Sequence, residues 1–238
     1  MKTPNFSGSR VVADRSPHSR RNFLRKSGYG IAAASLFLAG CADDDDPVMM
    51  ETGTVNLGSG DVGVLNYAYA LEQLEAAFYA TVLTGGYFSG ASADEQQVMR
   101  DLEAHERAHV EFLGAAIGSV GTAIPDLEVD FSSIDFDSRT SVLATAQAFE
   151  DLGVSAYNGA GRLISNPDYL LVAGKIVSVE ARHAAVIRTL NNDGSATAFA
   201  NSQVVDSNGL DVARTPSEVL AIAGTYVTTM IDASGLPQ

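Results

Sequence analysis

The sequence predicts an all-α protein: a four-helix bundle with one long crossover and an additional C-terminal helix. Three observations predict it. Apolar residues recur at steps of three and four over four long segments. Short links join the first segment to the second and the third to the fourth, while a long link separates the two pairs. Each pair also carries the same polar insertions in its apolar stripes, a Glu followed seven positions on by a Tyr and then a Glu-x-x-His.

The first helical segment is expected over about residues 61–83. Val64, Leu65, Ala68, Leu71, Glu72, Glu75, Phe78, Tyr79 and Val82 fall on its inward side. Residues 84–91 read TGGYFSGA, a glycine-rich turn. Ser92 and Glu95 have the spacing of a capping box and open the second segment, which runs to about 118. Its stripe is Met99, Leu102, Glu106, His109, Leu113 and Ala116. Residues 120–137 contain Pro125 and alternate Leu127, Val129 and Phe131, too irregular for a helix. The third segment spans about 138–160 and turns Leu143, Ala146, Glu150, Gly153, Val154 and Tyr157 inward. Asn166 followed by Pro167 is a helix start, opening a fourth segment to about 190 with the stripe Ala173, Ile176, Glu180, His183, Ile187 and Leu190. Residues 191–214 are rich in Asn, Ser, Gly and Asp and read as loop. Thr215-Pro216-Ser217-Glu218 caps a last helix, expected to end near 230.

The first forty residues differ in composition. Seven of the chain's 15 basic residues lie there against a single acidic one, Asp14. Residues 41–238 therefore carry eight basic and 28 acidic side chains. Such a surface repels nucleic acid and anionic lipid, and no nucleic-acid partner is expected. Residues 19–26, SRRNFLRK, resemble a twin-arginine export signal, with an apolar segment following over 28–38. The sequence Leu38-Ala39-Gly40-Cys41 resembles a bacterial lipobox. That resemblance implies lipidation of Cys41, a membrane partner through the anchor, and a cell-envelope location on the periplasmic face or cell surface. Three regions follow: a signal over 1–41, an acidic flexible tether over 42–60, and a bundle domain over 61–238. The single Cys excludes an internal disulfide.

The functional signal is polar residues inside apolar stripes. A carboxylate and an imidazole on the buried side of a helix cost several kcal/mol unless something neutralises them. A bound metal would do so. Glu106 with His109 and Glu180 with His183 each place both groups on one face, about one turn apart. Glu72 and Glu150 complete four carboxylates and two imidazoles, a donor set that suits two iron or manganese ions. Glu75 is an alternative to Glu72. Tyr79 and Tyr157 are candidates to donate hydrogen bonds to ligand carboxylates across the bundle. His105-Glu106-Arg107-Ala108-His109 also spells the H-E-x-x-H of zinc proteases, but that reading leaves the second Glu-x-x-His unexplained.

This connectivity and ligand pattern are those of ferritin-like carboxylate bundles, for which the ligand set is already known. The chain resembles bacterial ferritin-like domain proteins related to plant desiccation-related proteins. The resemblance is carried by LNYAYALEQLEAAFY (65–79), HERAHVEFLGAAI (105–117), FEDLGVSAYNGA (149–160), VSVEARHAAVIR (177–188) and TPSEVLAIAG (215–224). Similarity to the sites of bacterioferritin, rubrerythrin and manganese catalase implies Glu72, Glu106, His109, Glu150, Glu180 and His183 as ligands. It also implies an oxidoreductase acting on peroxide or dioxygen in envelope stress protection. There are no Cys pairs for a rubredoxin-type iron centre. The alternative is a non-enzymatic metal-binding lipoprotein with the same bundle. Small oxygen species and a second copy of the chain are the remaining candidate partners.

Overall fold

The computed structural model describes residues 53–237. Four long helices dominate it: α1 (Gly60–Val82), α3 (Ala93–Gly118), α4 (Arg139–Gly161) and α5 (Pro167–Asn191). A short α2 (Gly86–Gly90) lies between α1 and α3, and α6 (Pro216–Ala223) follows α5. Two short strands, β1 (Val55–Asn56) and β2 (Ile231–Asp232), pair in parallel. Helices α1 and α3 form one hairpin, α4 and α5 the other, and α1 packs against α4. The all-α bundle expected from periodicity is the fold.

Helix starts follow local chemistry. The Ser92 hydroxyl accepts from the Glu95 backbone N–H, and the Asn166 side chain accepts from that of Asp168 with Pro167 in the first turn. Thr215 and Glu218 form a full reciprocal capping box on α6. At Ser92 the box is one-sided. The Glu95 carboxylate instead accepts from the Tyr87 hydroxyl at 2.8 Å and from Arg139 Nε at 2.9 Å, tying α2 and α4 to the start of α3.

Three segments differ from expectation. Residues 86–90 wind into one helical turn within the predicted glycine-rich turn. The last helix stops at Ala223 rather than near 230. The crossover takes the backbone that would have continued it: Asp130 N–H donates to Tyr226 O, and Thr228 N–H to Glu128 O, both at 2.9 Å. Val227, Thr228 and Thr229 are β-branched and fit that extended pairing. Of the tether predicted over 42–60, residues 42–52 lie outside the described residues, and the C-terminal end is built into the fold. Residues 55–56 are β1, and Leu57 is fully buried.

The buried apolar residues form two clusters, a large one that extends under the crossover and a smaller one of Leu65, Ala68, Leu113, Ile117, Tyr157 and Ile176. Phe78 on α1 is fully buried and meets Phe149 of α4 edge-on at 5.1 Å, with Phe131 and Phe136 of the crossover at 6.0 and 5.9 Å. Buried Asn66 secures the other end. Its amide donates to Leu57 O and Thr122 O, and its carbonyl accepts from the Ile124 N–H. One satisfied side chain thus holds the lead-in, the crossover and α1 in register. Among the described residues, no helix is long and apolar enough to cross a membrane.

Candidate metal centre

Glu72 from α1, Glu106 and His109 from α3, Glu150 from α4, and Glu180 and His183 from α5 converge in the middle of the bundle. The four carboxylates are fully buried and His183 is nearly so. His109 Nδ1 lies 3.0 Å from Glu72 Oε2, 3.1 Å from Glu180 Oε1 and 3.2 Å from Glu106 Oε2. His183 Nδ1 lies 2.8 Å from Glu106 Oε1, 3.6 Å from Glu150 Oε2 and 3.7 Å from Glu180 Oε2. The donors fall into two overlapping sets, Glu72–Glu106–His109–Glu180 and Glu106–Glu150–Glu180–His183, each with its ligand atoms within 4.8 Å of one another. Glu106 and Glu180 belong to both.

The donor atoms face common points better than they face each other. Glu106 Oε1, Glu150 Oε2, both Glu180 oxygens and His183 Nδ1 are buried without an aligned hydrogen bond, although several lie within ion-pair distance. Buried polar atoms left so are rare and costly. Hard oxygen donors with two imidazoles at these spacings fit a divalent ion such as iron or manganese.

Electrostatics point the same way. Burial, and then the neighbouring Glu180, push the Glu72 carboxyl well above the ordinary range. Burial likewise raises Glu150 to about 8 against the pull of His183. Burial would raise Glu106 too, but the adjacent imidazoles of His109 and His183 win and bring it down to about 2. Burial alone would lower both imidazoles; the surrounding carboxylates, Glu106 first, push each up to about 12. Without ions the cluster therefore retains protons at its donor atoms.

Tyr79 and Tyr157 act across the bundle, as the sequence pairing anticipates. Tyr79 of α1 donates to Glu150 Oε1 of α4 at 2.5 Å, and Tyr157 of α4 donates to Glu72 Oε1 of α1. Burial first, then the adjacent carboxylate, raises both phenols well above their ordinary pKa, so each stays a donor. Each fixes one carboxylate oxygen and leaves the other toward the centre.

Of the alternatives Glu72 and Glu75, the structure brings Glu72 into the converging set. Glu75 is buried one turn further along and lies outside both sets. It fills the space in front of Gly153, where a Cβ would stand 2.9 Å from Glu75 Oε1 and 3.6 Å from Glu180 Oε2. Gly153 is one turn after Glu150, as Glu75 is one turn after Glu72. The two halves of the bundle thus differ at this equivalent place, a fifth carboxylate in one and no side chain in the other. Sequence reading placed Gly153 inward but missed this exchange; comparing the i+3 positions after Glu72 and Glu150 would have found it.

His105 stands outside both donor sets. Its Nδ1 lies 2.9 Å from His183 Nε2, and the two rings stack with an 8° interplanar angle. It therefore orients the imidazole of His183 from the solvent side. His105, His109 and His183 line a cleft of about 360 Å³ between α3 and α5, with Val98, Leu102 and Val179 as its apolar walls. The cleft reaches the imidazoles of His109 and His183, behind which the four carboxylates are fully buried.

Residues 60–193 match the family described as the ferritin-like domain, and the chain belongs to that family. The matched span holds all four long helices but ends before α6. No curated protein matches the chain.

Proposed function

We propose that this ferritin-like chain carries a dinuclear iron or manganese centre and acts as an oxidoreductase on peroxide or dioxygen. The observation that carries the reading is the overlap of the two donor sets at Glu106 and Glu180. Glu72 and His109 would hold one ion, Glu150 and His183 the other, with Glu106 and Glu180 shared. Two such ions supply redox chemistry at a site otherwise made of acids and bases. The chain's own residues do the rest. Tyr79 and Tyr157 orient the terminal carboxylates, His105 orients His183, and the buried bundle limits water to the α3–α5 cleft. That cleft is walled mainly by apolar side chains, with the exposed Asp101 and Arg182 beside them, a lining that suits small molecules such as peroxide better than large ones.

The zinc-protease reading has no comparable support, because His105 engages His183 and shares no donor set with His109. Peroxide assays decide between turnover and metal binding alone. Protein loaded with iron or manganese is expected to convert two peroxides into dioxygen and two waters. Protein no faster than an equal amount of free metal would leave the non-enzymatic reading in place.

Residues 1–41, with the twin-arginine and lipobox patterns, lie outside the described residues. On their sequence we propose export in folded form, lipidation at Cys41 and residence in the cell envelope, where the centre would serve in oxidative stress protection. Palmitate incorporated by the full chain and absent from Cys41→Ala is the expected result; equal labelling of the two rejects the anchor.

A further inference from the structure

A second cavity lies over α4 and α5 and shares one lining residue, the exposed Arg182, with the α3–α5 cleft. Its volume is about 570 Å³, within the range of small-molecule sites. Its floor is α4 and α5, and its roof is the segment over residues 199–214. That roof is anchored. The Arg214 N–H donates to Ser155 O at 2.9 Å, and Arg214 Nη1 donates to Ser155 Oγ at 2.6 Å. Gly159 lets the strap approach, since a Cβ there would overlap Arg214 O.

The charge lining this cavity is unusual for the chain. Three of the eight basic side chains in residues 41–238, namely Arg182, Arg188 and Arg214, surround it. Elsewhere the same span is overwhelmingly acidic. Arg188 is 98% buried, and its Nε is bound to Asp151 Oδ1 at 2.9 Å. Its remaining N–H groups reach Asn201 and Gln203 only at 3.3–3.4 Å. Arg182 and Arg214 have no carboxylate within ion-pair distance among the described residues. They bond instead to the hydroxyls of Ser178 and Ser155. One further carboxylate, Asp211, lies at the exposed rim. Val154, Ala184, Val204 and Val212 supply apolar wall, and Phe199, 54% exposed, stands at the mouth.

We infer that this cavity binds a small organic oxyanion, a carboxylate or phosphate on a compact apolar body. Arg182 and Arg214 meet the anionic group, because guanidinium forks match the paired oxygens of carboxylate and phosphate. The Arg188–Asp151 pair holds α4 and α5 together beneath it. The aliphatic wall and Phe199 cover the apolar part. None of the six metal-centre donors lines this cavity, and only Arg182 is common to it and the α3–α5 cleft, so neither reading depends on the other.

The test is ligand-observed NMR on the intact protein with benzoate, phenyl phosphate and, as the neutral match, benzamide. Either anion is expected to bind while benzamide does not, and which of the two binds more tightly identifies the preferred head group. The Arg182→Gln/Arg214→Gln double variant is expected to weaken binding at least about tenfold. Since Arg214 also anchors the strap, Arg182→Glu is tested alone. Its side chain is exposed, so the fold is retained and binding should fall by a similar factor. Metal content should be unchanged in both variants. Binding of benzamide equal to benzoate, anion binding that survives Arg182→Glu, or no binding of either anion would overturn the inference.

Discussion

A Glu106→Gln chain is expected to lose affinity for both ions of the proposed centre at once, whereas a Glu72→Gln chain should lose it for one. The difference follows from the overlap of the donor sets. Glu106 and Glu180 appear in both, while Glu72 and Glu150 appear in one each. The amide is nearly isosteric, so packing is little disturbed, but the carboxylate charge common to both donor sets is gone. Removing a shared ligand should cost more than about a hundredfold in affinity, the upper end of what outer-shell changes alone produce. Metal counted per chain after dialysis should then approach zero for Glu106→Gln and about one for Glu72→Gln. Equal losses in the two variants would mean that the donors do not divide as the geometry indicates. His183→Ala removes an imidazole from one set only, and a variant that kept two ions per chain would refute the assignment of that residue.

The metal-free protein should become less stable as pH rises, and metal should remove much of that slope. Both imidazoles have folded-state pKa values raised from 6.5 to about 12. Their contribution is complete below pH 6.5 and is lost as pH rises toward 12. Glu150, raised from 4.5 to about 8, is held protonated by the fold and costs stability progressively across that interval. Glu106, lowered to about 2, has given its whole contribution by pH 4.5. Above pH 4.5 the named groups therefore push in one direction. Bound ions take the place of these protons, so loading releases protons and strengthens as pH rises. At a free-metal concentration of 1,000 times Kd, each ion adds about 4 kcal/mol. For a domain of this size that is a rise in Tm of roughly 10 °C per ion. Thermal melts of metal-free and loaded protein between pH 5 and pH 9 measure both effects. A metal-free Tm that climbs over that range would contradict the proton-holding cluster.

The bundle was legible because its four long stripes have one period and distinct starts. Ser92, Asn166 and Thr215 each sit at the cap that their spacing predicts. The six donors were legible for the same reason: a Glu or His in an apolar stripe is conspicuous. What stayed hidden depends on contacts between distant segments. The end of α6 at Ala223 is set by the crossover taking the backbone of Tyr226 and Thr228, which no local pattern announces. The arginine-lined cavity needs Arg182, Arg188 and Arg214 brought together by a strap whose own sequence reads only as loop. Helical phase did not separate Glu72 from Glu75, since both point inward; the fold brings Glu72 into the donor sets, and the empty space at Gly153 accounts for Glu75.

The pairing of Val55 with Ile231 and of Asn56 with Asp232 joins residues 176 positions apart. That clasp encloses all four long helices within one loop of chain. Loosening residues 230–232 would therefore also release Val55 and Leu57, whose N–H groups donate to Met230 O and Asp232 O.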